Sequence, residues 1–430
     1  MSNDFIKEHY DREVPSLSGG HYEEYRWFKN PLQAAHFTLT RNTINQQLLA
    51  NLVGVKNILE IGPGPGTWTE LLLERFPQAR FTLVDISSQM LNEAKSRLAL
   101  KGEFNFVNQD FTNFKAAEPF DLVFSSRAIE YVDNKEAFIS NLAKSLNLGG
   151  VGFIITKTPH YWREWLLGKK NPARHSRQIS PREFKKILIK QGLVILGSYP
   201  VTVSVPLFKS PRLNLWVARW IKFLPLNFIT LNLTESYAIK FAKQEIIELF
   251  GLPASGKSTY ARELEAGGYE RIKVRTRWEL IKYNFIFFFH YPNKFIVGLG
   301  YLIRYAGQSR WWYYKLMNLF FQHNAKFIKA QKFARAVIDQ GHFQNLLSLF
   351  DQEQPASKLK KYASNFPLPN ELIIFDLDPS ERHKRLSYRP QKPRGEFGQT
   401  NQGWSLAAEA NFNTVKGFVN DLKLPKYSLK

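Results

Sequence analysis

The sequence predicts an α/β protein of two domains, and three observations carry that prediction. Apolar runs of strand length alternate with helical stretches from Asn57 to Val205. A glycine turn, Gly62-Pro-Gly64-Pro-Gly66, follows the first of those runs. A second glycine loop, Gly251-Leu-Pro-Ala-Ser255-Gly256-Lys257-Ser258-Thr259, follows another apolar strand far downstream. Alternation of this kind builds parallel sheets covered by helices, with ligands bound beyond the carboxyl ends of the strands.

The 430 residues suffice for two or three domains with cores of their own. A hydrophobic share of 44% and a charged share of 22% are those of a folded protein. The absence of cysteine excludes disulfides, thiolate zinc sites and cysteine nucleophiles, and it fits a reducing cytoplasm. Residues 1–20 carry Asp4, Glu8, Asp11 and Glu13 without an apolar centre, so no signal peptide is expected there. No run of membrane-spanning length is free of charge or proline. A cytoplasmic location is therefore expected, with peripheral contact at the inner face of a membrane as an extension. The net charge of +22 is shared by both halves and favours anionic partners.

Residues 1–54, with Tyr22, Tyr25, Arg26, Trp27 and Phe28, read as a cap or lid ahead of the first strand. Asn57 to Ile61 is a strand, and Thr67 to Phe76 is helical, so the glycines between them set backbone N–H groups around a ligand. A nicotinamide fingerprint requires Gly-x-Gly-x-x-Gly, but Gly66 arrives one residue early, and Glu60 would repel a pyrophosphate. Further strands run over 80–84, 104–107, 121–124 and 151–156, with helices over 88–100, 135–146 and 181–191. Glu60, Asp85, Asp110 and Asp121 fall at strand ends. Asp85 is spaced to accept hydrogen bonds from ribose hydroxyls, and Asp110 from an exocyclic amine, with Phe111 beside a base. The run from 193 to 205 is rich in β-formers, and 211–242 reads as a linker or amphipathic segment.

Five segments between 55 and 160 together resemble the class I S-adenosylmethionine-dependent methyltransferases: LEIGPGPG (59–66), LVDIS (83–87), QDF (109–111), FDLVFSSRAIEYV (120–132) and LNLGG (146–150). The resemblance implies a Rossmann-like seven-stranded sheet over 55–210 with a final antiparallel strand. It also implies cofactor contacts from Glu60, Gly62, Gly64, Gly66, Asp85, Asp110 and Phe111. The acceptor side is expected from 127–131 and 157–162. There His160 or His175 is a candidate general base for a hydroxyl, while Lys157, Arg163 and Arg174 suit a phosphorylated acceptor.

The second loop fits Gly-x-x-x-x-Gly-Lys-Ser between strand and helix. Gly251, Ser255, Gly256 and Thr259 would cradle phosphates, Lys257 would reach the β and γ phosphates of ATP, and Ser258 would hold Mg²⁺. Residues 271–335 carry thirteen Lys and Arg, one acid (Glu279) and eighteen aromatics. They read as a helical substrate-binding subdomain, an interfacial surface for anionic lipid, or a base-stacking surface. Residues 336–339 form a strand ending in Asp339, a candidate base and magnesium ligand. Arg385, Arg389 and Arg394 follow the strand at 371–375 and are placed to stabilise a transferring phosphoryl group. Residues 243–430 resemble a small P-loop kinase of the nucleotide and adenylylsulfate kinase group. They depart from it where Arg275 and Arg277 follow the 271–274 strand in place of an acid. The lack of an Asn-Lys-x-Asp motif argues against a GTPase.

These readings lead to a bifunctional enzyme, combining methyl transfer to an oxygen with ATP-dependent phosphoryl transfer. Its expected acceptor is a small molecule or glycan, phosphorylated or lipid-linked. The domain order is similar in architecture to O-antigen chain-terminating enzymes, which phosphorylate and methylate a glycan end. An RNA-modifying methyltransferase with an ATP-binding accessory domain, or a methyltransferase with a nucleotide switch, are the alternatives.

Overall fold

The computed structural model describes residues 3–13, 22–159, 177–203, 210–221, 234–305, 309–388, 401–422 and 424–430. The chain divides into two compact units, Met1–Gln244 and Glu245–Lys430.

The first unit is built on seven strands: β1 (Asn57–Ile61), β2 (Arg80–Asp85), β3 (Glu103–Asn108), β4 (Phe120–Ser126), β5 (Leu146–Lys157), β6 (Val194–Val203) and β7 (Thr234–Ala242). Their order across the sheet is β3-β2-β1-β4-β5-β7-β6. Only β7 runs against its neighbours, pairing antiparallel with both β5 and β6. The order reverses between β1 and β4, so connections leave that pair in opposite directions and open a crevice at their carboxyl ends. Strands buried on both faces read as continuous apolar runs, which is why β1 and β4 were legible. Ser87, Asn134 and Ser180 cap the Ser88–Leu98, Lys135–Ser145 and Pro181–Lys190 helices through their side chains.

Several sequence expectations change here. The stretch 211–242, expected as a linker or amphipathic segment, falls inside the first unit, and its residues 222–233 lie outside the described residues. The Pro211–Ile221 helix buries Ala218 and Ile221 against Val203, and β7 is an interior strand of the sheet. Local pattern could not reveal this, because β7 pairs with residues 31 to 91 positions earlier in the chain. Asp121 is the second residue of β4, at the end away from the crevice, where it accepts hydrogen bonds from the Lys56 and Asn57 amides. The expected 271–274 strand is only β9 (Glu270–Arg271).

The second unit has five parallel strands: β9, β8 (Glu245–Gly251), β10 (Arg335–Ile338), β11 (Glu371–Phe375) and β12 (Lys426–Leu429). They are arranged β12-β11-β8-β10-β9. β8 is central, flanked by β10 and β11, so the loop it feeds also lies at a reversal of strand order. Helices cover Arg277–His290, Pro292–Tyr305 and Ser309–Ala330, with Tyr283 and Phe287 in one core cluster and Leu302 and Phe320 in another. Among the described residues no helix is long and apolar enough to cross a membrane.

Candidate functional site

In the first unit the glycine turn leaves β1 with Gly62, Gly64 and Gly66 at φ of +68°, +56° and +82°. Such angles favour glycine. The Gly62 amide donates to Val84 O and the Gly64 amide to Asp85 Oδ2 at 3.2 Å. A Cβ at Gly62 would stand 2.7 Å from that of Ala128, whereas one at Gly64 would meet nothing within 4 Å. Gly64, Asp85, Asp110 and Phe111 line one cavity with Ile61, Met90 and Arg127. Asp85 also accepts from the Ser87 amide, and burial pushes its carboxyl up to about 6 despite those bonds. Asp110 caps the turn at Phe111–Asn113, and the buried Phe111 ring packs edge-on against Phe138.

Two of the expected cofactor residues stand behind this cavity instead of lining it. Glu60 is 1% exposed and accepts a 2.7 Å hydrogen bond from Thr69, and burial raises its carboxyl to about 8. A neutral Glu60 therefore ties the strand to the following helix. Gly66 packs against Leu98 and Ala94, where a Cβ would crowd the Leu98 side chain.

The amino-terminal segment closes the cavity. Tyr10, Tyr22, Arg26 and Trp27 line it. Asp11 accepts from Ser87 Oγ at 2.6 Å and from the Gln89 amide, latching the segment beside Asp85. Trp27 packs edge-on against Trp68, and Phe37 stacks on the same indole.

A second cavity adjoins the first, sharing Tyr10, Tyr22, Arg26, Arg127 and Tyr131 and adding Gln33, His36, Glu130, Lys157 and Glu235. Glu130 is fully buried. It lies 3.6 Å from the Arg127 guanidinium and accepts from the Lys157 amide at 3.0 Å. Glu235 sits 3.6 Å from His36 Nε2 and 3.9 Å from Lys157 Nζ. Burial, then the neighbouring Arg127, lowers the Lys157 ammonium, and burial lowers His36. Gln33 Oε1 and His36 Nε2 are buried without hydrogen-bond partners among the described residues. His36 and Glu235 were missed in the sequence because they meet only when β7 joins the sheet. His160, His175, Arg163 and Arg174 lie outside the described residues.

In the second unit the loop after β8 holds Gly251, Ala254 and Gly256 at φ of +156°, +68° and +98°. Lys257 is buried and folds back on the loop, donating to Gly251 O at 2.6 Å, Leu252 O at 2.7 Å and Ser255 Oγ at 3.3 Å. Ser258 and Thr259 are exposed on the first turn of the Lys257–Ala266 helix. A guanidinium nitrogen of Arg385 would stand 3.8 Å from a Cβ at Gly256, so that side chain reaches the loop. Arg389 and Arg394 lie outside the described residues.

Asp339, expected as a base and magnesium ligand, stands between two cations. Arg271 donates to one oxygen at 2.7 Å and Lys326 stands 3.6 Å from the other. Those two cations hold its carboxyl down against the upward push of burial. Acting as a base or magnesium ligand would require it to give up these pairs. No cluster of three or more His, Asp or Glu suited to a metal occurs among the described residues.

A family described as a methyltransferase domain matches residues 58–150. Malonyl-[acyl-carrier protein] O-methyltransferase 2 of Ilyobacter polytropus is 31% identical over 138 residues, which are 31% of this chain and 53% of that protein. Trans-aconitate 2-methyltransferase of Escherichia coli is 32% identical over 137 residues, 31% of this chain and 52% of that protein. The chain thus spans about half the length of these relatives. Among solved structures, magnesium protoporphyrin IX methyltransferase from Synechocystis with bound SAH is similar at 17% identity and a TM-score of 0.40, covering 56% of this chain and 99% of that one. The sequence matches and the strand order together establish a class I S-adenosylmethionine-dependent methyltransferase domain in the amino-terminal unit.

Proposed function

We propose that the amino-terminal unit transfers the methyl group of S-adenosylmethionine to an oxygen of an acidic acceptor, and that the carboxy-terminal unit is a P-loop kinase that uses Mg·ATP. One observation carries the first part: Gly64, Asp85, Asp110 and Phe111, from three consecutive strand ends, line one cavity that adjoins a second, cation-rich one. The residues fit the cofactor, since Gly64 leaves open space at its backbone and Asp85 offers a buried carboxylate for ribose hydroxyls. When bound, S-adenosylmethionine supplies an electrophilic methyl group. The protein's own task is to orient the acceptor, exclude water and manage any proton.

Arg26, Arg127 and Lys157 outnumber Glu130 and Glu235 in the second cavity, which favours an acceptor bearing a carboxylate or phosphate. The names of two relatives, specifying malonyl-[acyl-carrier protein] and trans-aconitate, support an acidic acceptor. For a hydroxyl acceptor, His36 lines the cavity, burial lowers its pKa from the ordinary histidine value, and its Nε2, 3.6 Å from Glu235, makes no hydrogen bond among the described residues. It would take the proton, and Glu235 would stabilise the resulting imidazolium. A glycan or small molecule, phosphorylated or lipid-linked, meets these requirements.

The kinase reading is supported by the loop after the central strand, its positive φ angles, and Arg385 beside Gly256. Lys257 would swing from the loop carbonyls to the phosphates, and Ser258 would hold Mg²⁺.

Thermal unfolding with S-adenosylhomocysteine and with Mg·ADP, added separately, tests both parts. A ligand at 100 times its Kd adds about 2.7 kcal/mol of stability when it binds the folded state alone. Two independent shifts, removed by Asp85→Ala and Lys257→Ala respectively, are expected. A missing shift overturns the corresponding half. Mg·ADP binding without phosphoryl transfer to any acceptor would leave the second unit a nucleotide switch.

A further inference from the structure

The Arg277–His290 helix carries large apolar side chains on two opposite sides, and only one of those sides is buried. Tyr283 and Phe287 point into the core, with Asn284 buried beside them. On the opposite side Trp278, Ile281, Phe285 and Phe289 are 80%, 60%, 65% and 63% exposed. Their spacing of three and four residues places them in one stripe. The next helix, Pro292–Tyr305, exposes Ile296 and Ile303, and its Phe295 packs edge-on against Phe288 of the first.

Cations surround this stripe. Lys273, Arg275, Arg277, Lys282 and Arg304 are exposed, and none of them pairs with a carboxylate among the described residues. Glu279, the only acid between 271 and 335, is already held by Lys329 at 2.8 Å. Aliphatic and aromatic side chains in one exposed stripe, edged by uncompensated cations, match a helix lying in a lipid interface.

We propose that the exposed face of the Arg277–His290 helix, extended by Ile296 and Ile303, docks this unit on a membrane surface containing anionic lipid. Trp278, Phe285 and Phe289 would enter the boundary between headgroups and acyl chains, while Arg275, Arg277 and Lys282 meet the lipid phosphates. Two other occupants fit the face less well. A second copy of the chain would bring the same cations together, and the isoleucines offer nucleic-acid bases no ring on which to stack. The inference stands apart from either catalytic reading, since it uses none of the residues of the two loops.

The test is co-sedimentation of the full chain with phosphatidylcholine vesicles prepared with and without phosphatidylglycerol. Binding is expected to the mixed vesicles and to weaken as salt is raised. The variant Trp278→Ser/Phe285→Ser/Phe289→Ser should partition on the order of a hundredfold more weakly, with its far-UV circular dichroism and thermal unfolding unchanged. Arg275→Glu/Arg277→Glu should remove the preference for anionic lipid. Trp216 and Trp220, exposed on the Pro211–Ile221 helix of the other unit, provide the comparison. Loss of vesicle binding on changing those two, but not the stripe, overturns the proposal. So does an absence of vesicle binding, whether the stripe variant then disrupts a dimer, binding to single-stranded RNA, or nothing.

Discussion

Glu60 and Asp85 lie at the ends of neighbouring strands, and burial raises both carboxyls, to about 8 and about 6. The consequences differ because only Asp85 faces the cavity. Affinity for S-adenosylhomocysteine should be steady near neutral pH and fall as pH drops below about 6, where Asp85 loses its charge. Calorimetric titration of wild type and Asp85→Asn checks this, the variant losing both affinity and pH dependence. Glu60 acts on stability. The folded state holds its proton between the ordinary 4.5 and about 8, so stability falls as pH rises through that window. The total is on the order of a few kcal/mol, and Glu60→Gln should flatten the dependence in denaturant unfolding measured at several pH values. His36 gives a third expectation. With a hydroxyl acceptor, His36→Gln should lower kcat by about two to four orders of magnitude with KM little changed, and should erase the acid limb of the pH profile. The placement of Asp85 and Asp110 at the cavity could be expected from their spacing after the glycine turn. That of Glu60 could not, because strand sequence does not show which way a carboxylate points within a loop's packing.

At the scale of elements, the amino-terminal segment covers the cavity beside Asp85 by a few specific attachments. Asp11 bonds to Ser87 and Gln89 beside Asp85, while Trp27 rests on Trp68. Asp11→Ala should weaken S-adenosylhomocysteine binding several-fold and expose the segment to limited proteolysis, with the unit still folded. The glycine turn is less forgiving. Gly62→Ala combines a φ of +68° with a Cβ 2.7 Å from Ala128, so it should abolish cofactor-induced stabilisation. The expectation of a cap over 1–54 came from aromatic clustering, and of the residues in that cluster Tyr22, Arg26 and Trp27 line the cavity. Periodicity located β1 to β5 to within a few residues, apart from β5, which begins at Leu146 where a helix end was expected. There Gly149 adopts a φ of +75° and the register with β4 shifts, a local irregularity that hydrophobic pattern does not encode. β7 escaped because an antiparallel strand inserted between β5 and β6 carries no adjacent turn signal.

For the molecule as a whole, two compact units divide at Gln244 and Glu245, where β7 and β8 follow one another almost without a break. If each unit holds its own ligand, the shifts caused by S-adenosylhomocysteine and Mg·ADP should be separately removable by Asp85→Ala and Lys257→Ala, and the effects of those two substitutions should add. The sequence by itself determined the two-sheet α/β class, the two glycine loops and the acids at the carboxyl ends of β2 and β3, because each is written in residues close together in the chain. Tertiary structure alone decided which side chains meet across it. It brought His36 of the amino-terminal segment to Glu235 of β7, and it bound Asp339 to Arg271 and Lys326. It also left one side of the Arg277–His290 helix uncovered. Burial and ion pairing depend on distances between residues remote in sequence, and those distances are fixed only when the strands take their order in the sheet.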